Sequence, residues 1–269
     1  MPAADPEPPS IACFWSGAEE LGLAVGVTTR WGGVSRPPYD TLNLGLHVGD
    51  RPEDVIRNRT RAAEAFGVQP GTLVFAEQVH GAHAMEVGAH DSGRGVASLD
   101  DALPATDVLV TTTSAVTLAI LVADCVPIAL VDPAAHVLAA VHAGWRGTAA
   151  GAVPAALRVM ADCGAKPERI HAYVAPAIAP ARYQVGPEVV DALARAVAPA
   201  PLHAAVVRPD PPHRARVDLV AANRQQLVAG GVRPEHLHDS GTTTADPAFF
   251  SDRAARPCGR FALLARFMS

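Results

Sequence analysis

The chain has 269 residues, 49% hydrophobic and 18% charged, with a formal net charge of −5. That length and apolar content provide a substantial core and exclude a disordered chain. The mild acidic balance (pI about 6.1) and the lack of any long basic run exclude a nucleic-acid or anionic-membrane surface as partner.

Residues 1–10 are Pro-rich and acidic, with neither a basic n-region nor an apolar h-region. They read as a loose tail rather than a signal peptide, followed by one catalytic domain over 11–269. No apolar run reaches the ~20 residues of a membrane span, so a cytoplasmic location is expected. Residues 23–29 predict a strand leading into a turn-rich loop through Trp31, Gly32, Gly33 and Tyr39. Asp50 is the expected cap of a helix over about 52–66, ended by Gly67. A strand over 73–79 is expected to deliver His80 at its end, and 88–105 reads as a polar loop.

The centre is strand-dense. Residues 107–112, 117–123, 127–131 and 137–141 are short runs of Val, Leu and Ile bounded by turn signals. Thr148 is the expected cap of a helix through about 161, with Pro154 as a kink. Residues 170–174 predict a strand, 186–197 and 218–229 predict helices, and 260–267 a final strand. Asp218 caps the 218–229 helix and Gly230-Gly231 ends it. Residues 199–212 are the loosest internal stretch. The whole is expected to be α/β (α+β): one compact domain of mixed β-sheets flanked by helices.

Four cysteines, at 13, 125, 163 and 258, are far apart and form no CxxC pair, so no disulfide framework is expected. Cys13, Cys163 and Cys258 read as packing or surface thiols. Cys125 differs because of what it faces. Residues 127–131 and 137–141 flank Asp132-Pro133, a type I turn signature. A hairpin centred between 133 and 134 sets 132 opposite 135 and 125 opposite 142, with Cβ atoms ~5 Å apart. A register slip of one would turn the two side chains to opposite faces. His80 follows from another strand end, and its placement is not derivable from spacing. Two imidazoles and a thiol are the ligand set of an open catalytic zinc site; Cys125 and His142 are equally a nucleophile and its base. His83 is a competing ligand, His236 and His238 read as exposed, and His47, His90, His136, His171, His203 and His213 carry no cluster signal.

These residues stand in distinctive strings: Thr29-Arg30-Trp31-Gly32-Gly33-Val34-Ser35, Gln78-Val79-His80-Gly81, Ala123-Asp124-Cys125-Val126-Pro127 and His142-Ala143-Gly144-Trp145-Arg146-Gly147-Thr148. Further on come Tyr183-Gln184-Val185-Gly186, Asp218 through Leu227, and Phe249-Phe250-Ser251. In these the chain resembles the YfiH/YlmD-type laccase-domain family, also called the multicopper polyphenol oxidase or peptidoglycan-editing-factor family. The resemblance runs from about residue 25 to the end. It implies a mixed-sheet α/β fold similar to the catalytic domain of a Cys-His deamidating toxin, with metal ligands at His80, Cys125 and His142. It also implies action on purine nucleosides, as phosphorolysis of adenosine, inosine, guanosine or methylthioadenosine and deamination of adenosine. Two further activities described for the family are copper-dependent phenol oxidation and hydrolysis of a peptidoglycan precursor. The chain departs from the family pattern at Gly241-Thr242, where Cys-Thr is usual, and at Arg253-Ala254, where Arg-Arg is usual.

Zinc is the expected ion, copper the alternative, and inorganic phosphate the co-substrate. Asp124 is expected to shuttle a proton or orient a ligand, unless strand alternation turns it away. Arg30, Arg146 and Arg253 are candidate phosphate or ribose clamps, the second lying before a helix N-terminus. Asn43 and Gln78 are candidate hydrogen-bonders to base or sugar, and Trp31, Trp145 and Tyr39 candidate stacking faces. A small purine nucleoside is the expected partner of a monomer or weak homo-oligomer.

Overall fold

The computed structural model describes residues 10–12, 15–196, 206–210, 212 and 214–268. The expected tail, Cys13, His203, His213 and most of 199–212 lie outside the described residues.

Two sheets stack face to face. One has five strands in the order Ile11–Ala12, Leu23–Thr28, Phe261–Phe267, Thr117–Val122 and Leu73–Val74. The other has six: Leu237–Asp239, His171–Val174, Val126–Asp132, Val137–Ala143, Val108–Thr111 and Ala84–Glu86. Val25, Leu118, Ile120 and Leu263 of the first sheet meet Leu109, Val131, Leu138 and Tyr173 of the second in a dry layer. The outer face of the five-stranded sheet is covered by Ala62 and Ala63 of the helix Pro52–Ala65. The outer face of the six-stranded sheet is covered by the helices Ala152–Asp162 and Leu219–Ala229. Every residue of Thr117–Val122, Val126–Asp132 and Val137–Ala143 is therefore buried. This is why those segments read as continuous apolar runs rather than alternating ones. A small third sheet joins Gln184–Val185, Arg214–Val217 and Val207–Asp210. The fold is a mixed α/β single domain, with antiparallel pairs dominant and parallel pairs at three places.

Several local expectations need correction. The 52–65 helix begins behind Arg51, which makes no side-chain cap; Asp50 instead binds Ser35 Oγ and Asn43 Nδ2. The helix expected from Thr148 starts earlier, at Trp145 behind Gly144, and breaks at Gly151, whose φ is +86°. Pro154 then lies in the first turn of Ala152–Asp162, where a missing N–H costs no helix bond. The strand expected over 73–79 stops at Val74.

The hairpin register also differs. Asp132 pairs with Val137, and Pro127 with His142, so four residues rather than two form the turn. The cause is the Asp132 side chain, which accepts hydrogen bonds from the amides of Ala134 and Ala135 and so builds a wider loop. The offset is two residues. Side chains on a strand repeat every two residues, so Cys125 and His142 keep the same face despite the shift.

Candidate active site

The chain leaves the five-stranded sheet after Val122 and enters the six-stranded one at Val126. Cys125 sits on this short crossing, and Asp124 before it takes a φ of +93°. His142 is the penultimate residue of its strand and 3% exposed. His80 comes from an exposed loop at a φ of +61°. The Nδ1/Nε2 and Sγ ligand atoms of the three lie within 4.8 Å of one another, and the two imidazoles meet edge to face at 4.8 Å.

The glycines of the His142–Thr148 string leave room for this. A Cβ on Gly144 would stand 2.8 Å from Cys125 Sγ and 3.1 Å from His80 Cδ2. One on Gly147 would stand 2.8 Å from the Gly81 carbonyl. A real Cβ essentially never comes closer than 3.0 Å to such an atom, so either change forces a neighbour to shift, the Cys125 thiol in one case and the Gly81 backbone in the other.

The electrostatics bind Cys125 to His142. Burial opposes ionisation of the thiol, but the charge of His142 and hydrogen bonds from His142 and His80 outweigh it and bring Cys125 down from 9.0 to about 6. Burial likewise opposes a charged His142; the Cys125 charge and the Asp107 hydrogen bond outweigh it and raise His142 to about 9. Without a metal the two form a thiolate–imidazolium pair at neutral pH. The donor set also suits an ion. On one tetrahedral zinc, N and S donors lie roughly 3.3–3.6 Å apart, so about an ångström of side-chain movement closes the trio on it. Among the described residues this is the one group of three or more such donors.

The trio opens into a cleft of about 680 Å³, within the range of small-molecule sites. Trp145, Arg146, Tyr183 and Arg253 are among its lining residues. The guanidinium of Arg146 lies 4.3 Å over the Trp145 ring, and that of Arg253 lies 5.2 Å over Tyr183. Burial pushes the Tyr183 phenol well above its usual range, so its hydroxyl stays protonated. His47, which carried no signal in the sequence, also lines the cleft. Burial, then the charges of Arg260 and Arg59, lower it to about 4 and keep it neutral.

Other candidates are placed elsewhere or are already engaged. Arg30 does not line the cleft; it pairs with Asp40 at 3.3 Å and covers Phe250. Asn43 is fully buried, donating to Gly45 O and Asp50 and accepting from the amides of Gly45 and Arg260. Both were candidate substrate contacts, and both are engaged in ties within the fold. Gln78 lines the cleft, yet both ends of its amide pair with the Leu121 backbone at 2.8 Å. Asp124 also lines the cleft, but Oδ1 accepts from Thr244 and Ser251 and Oδ2 from the Arg253 amide. It fastens the C-terminal segment and so fixes Arg253, and no bond to a trio residue occupies it. Trp31 is exposed outside the cleft, and Tyr39 donates to Val48 O. His83 bonds Thr106 and stands outside the trio. His236 and His238 are half-buried, not exposed, and both stack with His171. Cys163 and Cys258 are free thiols.

One residue of the site escaped the sequence reading. Asp107, fully buried, accepts a hydrogen bond from His142 Nδ1 at 2.7 Å. Its only signal was an acidic residue placed directly before an apolar strand.

The chain belongs to the family described as multi-copper polyphenol oxidoreductase laccase, which matches residues 24–267. It is 40% identical over 239 residues to a Geobacillus stearothermophilus protein named purine nucleoside phosphorylase YlmD, covering 87% of this chain and 86% of that one. A Streptomyces coelicolor protein also named a purine nucleoside phosphorylase is 42% identical over 241 residues, covering 90% and 94%. Among solved structures, the fold matches that of YlmD from Geobacillus stearothermophilus with a TM-score of 0.89 at 39% identity, covering 92% of this chain and 93% of that one. It matches the hypothetical protein YfiH of Bacillus licheniformis with a TM-score of 0.91 at 32% identity, covering 97% of each.

Proposed function

We propose that the cleft is the active site of a purine nucleoside phosphorylase working at a metal centre of His80, Cys125 and His142, with zinc as the ion and inorganic phosphate as co-substrate. The observation that carries this reading is the convergence of one thiol and two imidazoles at a cleft whose wall holds two arginines stacked on aromatic rings. The names of the relatives support it. The expected partner is a small purine nucleoside, with the chain a monomer or weak homo-oligomer.

When bound, zinc supplies Lewis-acid polarisation at its open position. The chain's own residues do the rest. Arg146, lying over Trp145, and the part of the Arg253 fork not spent on the Arg182 and Gln184 carbonyls suit phosphate and ribose oxygens. The protonated Tyr183 hydroxyl is a donor for the sugar or base. In phosphorolysis a phosphate oxygen bonds the anomeric carbon as the carbon–nitrogen bond to the purine breaks, and the electron pair leaves with the base. In adenosine deamination, proposed for the same cleft, water adds at C6 and ammonia departs. The low thiol and raised imidazole of Cys125 and His142 favour one second reading, a Cys-His hydrolase with Cys125 as nucleophile. A copper phenol oxidase ranks lower, because multi-electron reduction of oxygen uses several metals and the described residues assemble one trio.

Metal content and product analysis with adenosine separate these readings. Phosphorolysis gives adenine and ribose 1-phosphate only when phosphate is present, with one zinc per chain; inosine marks deamination. Activity that survives chelators together with a covalent adduct on Cys125 would replace the proposal with the hydrolase. An intense blue copper band with phenol turnover would replace it with the oxidase.

A further inference from the structure

The two histidines of the trio come from unrelated elements, one from a sheet strand and one from an exposed loop, yet a single side chain holds both. Asp107 lies directly before the Val108–Thr111 strand and is fully buried. Its Oδ1 accepts from His142 Nδ1 at 2.7 Å and from the His80 amide at 3.0 Å. Its Oδ2 accepts from the Gly81 amide at 2.6 Å and the Val79 amide at 3.3 Å. The Asp107 carbonyl takes the His142 amide at 2.8 Å.

Each bond has a consequence. With Nδ1 donating to the carboxylate, His142 turns Nε2 to the side away from Asp107, where it would hold an ion once its proton is given up. Three consecutive amides converging on one anion fix the loop at residues 79–81, including the left-handed φ of +61° that a histidine seldom adopts. His80 and Val79 are exposed, so apolar packing does not hold this turn. Gln78 anchors the chain one residue earlier through Leu121, but it does not reach the His80 backbone.

We infer that Asp107 is the positioning residue of the metal centre, setting His80 and His142 in ligand geometry before any ion binds. This rests on the reading of the trio as a metal centre, and not on which substrate the cleft takes. Replacing the carboxylate by an amide turns an N–H2 toward donors, so Asp107→Asn keeps one arm of the clamp at the expense of the other.

The test uses the full-length protein. Zinc affinity of Asp107→Asn, read by competition with a chromogenic chelator, is expected to fall about 10–100-fold, and the cobalt-substituted variant is expected to lose the intense visible bands of a tetrahedral site. A purely structural role would lower the melting temperature and leave both readouts of the folded fraction unchanged. Hydrogen exchange on metal-free wild-type protein gives a second measurement that does not depend on the variant folding. The amides of Val79, His80 and Gly81 are expected to be protected before zinc is added. Zinc affinity of Asp107→Asn within twofold of wild type with an unchanged cobalt spectrum overturns the inference. So does free exchange of the three amides that is protected only on zinc addition. Wild-type protein that binds no zinc overturns the metal-centre reading itself, and this inference with it.

Discussion

His142 and His80 offer the same imidazole to the same site from two very different regions. His142 sits in a strand buried on both faces, with its backbone in register against Pro127 and its amide on Asp107. Its backbone position is a by-product of sheet packing, spread over many contacts, and Asp107 adds the orientation of its ring. His80 lies on a loop open to water, in a left-handed backbone conformation uncommon outside glycine, tied by three amides to one carboxylate. The comparison shows two ways of achieving the same precision. A sheet distributes the cost of holding a ligand; a loop needs a dedicated buried anchor, and that anchor is vulnerable to a single change.

The sharpest way to break the site is to remove a donor. Cys125→Ala and His142→Ala are each expected to abolish zinc binding and nucleoside turnover, as read by metal analysis and product formation. Full activity in either purified variant would sink the proposed function.

A smaller and more selective effect is expected from Gly144→Ala. The added methyl meets Cys125 Sγ and His80 while the φ of −72° tolerates alanine. Zinc affinity should drop roughly tenfold or more, the scale on which displaced ligands weaken a site, while thermal stability stays near wild type. Equal losses in both measurements would place the damage in the fold instead.

The cleft wall sharpens the comparison further. Arg146→Ala and Arg253→Ala are expected to raise KM for phosphate on the order of tenfold, the loss of about 1.4 kcal/mol of binding. Arg30→Ala should leave kcat/KM within a few-fold of wild type, because Arg30 is spent on Asp40 and Phe250 outside the cleft. The reverse ranking in steady-state kinetics would return Arg30 to the site.

The effect most remote from the cleft concerns the hairpin that carries His142. Burial would raise Asp132, but Arg169, the Lys166 amide and the Ala135 amide outweigh it and hold its carboxyl below the usual carboxylate range. A lowered folded value means that the unfolded chain binds the proton more readily. The stabilisation is therefore complete above about pH 4, the unfolded value, and is lost as pH falls through the lower folded value. Asp132→Asn should cost about 2 kcal/mol at pH 7, the scale of a buried charged hydrogen bond. It should also flatten this part of the acid limb in denaturant titrations at several pH values. An undiminished acid limb would assign that stability to another carboxylate.

Much of the scaffold could be read from residues alone. The strands over 117–122, 126–132 and 137–143 announced themselves as apolar runs, and Asp218 and Gly230 marked the ends of the Leu219–Ala229 helix. Cys125 was paired with His142 even though the turn is two residues longer than its Asp-Pro signature suggests, because a shift of two preserves the face. The polar residues were harder. Asn43, Gln78 and Asp124 have the right chemistry for substrate, yet their hydrogen bonds go to Arg260, Leu121, Thr244 and Ser251. A polar side chain in a sequence does not declare its partner. Tyr183 and His47 reach the cleft only because distant segments fold against it.

What the chain's own order of residues determined was the buried double layer of strands, the helices that cover it, and the cysteine and histidine presented at its edge, since hydrophobic period and turn chemistry are local properties. What only the tertiary structure decided was that a third donor side chain arrives from an exposed loop, that Asp107 joins it to the sheet, and that aromatic-backed arginines line the same cleft. Those relations depend on hydrogen bonds between residues 26 to 129 positions apart, and no local pattern encodes contacts made across such separations.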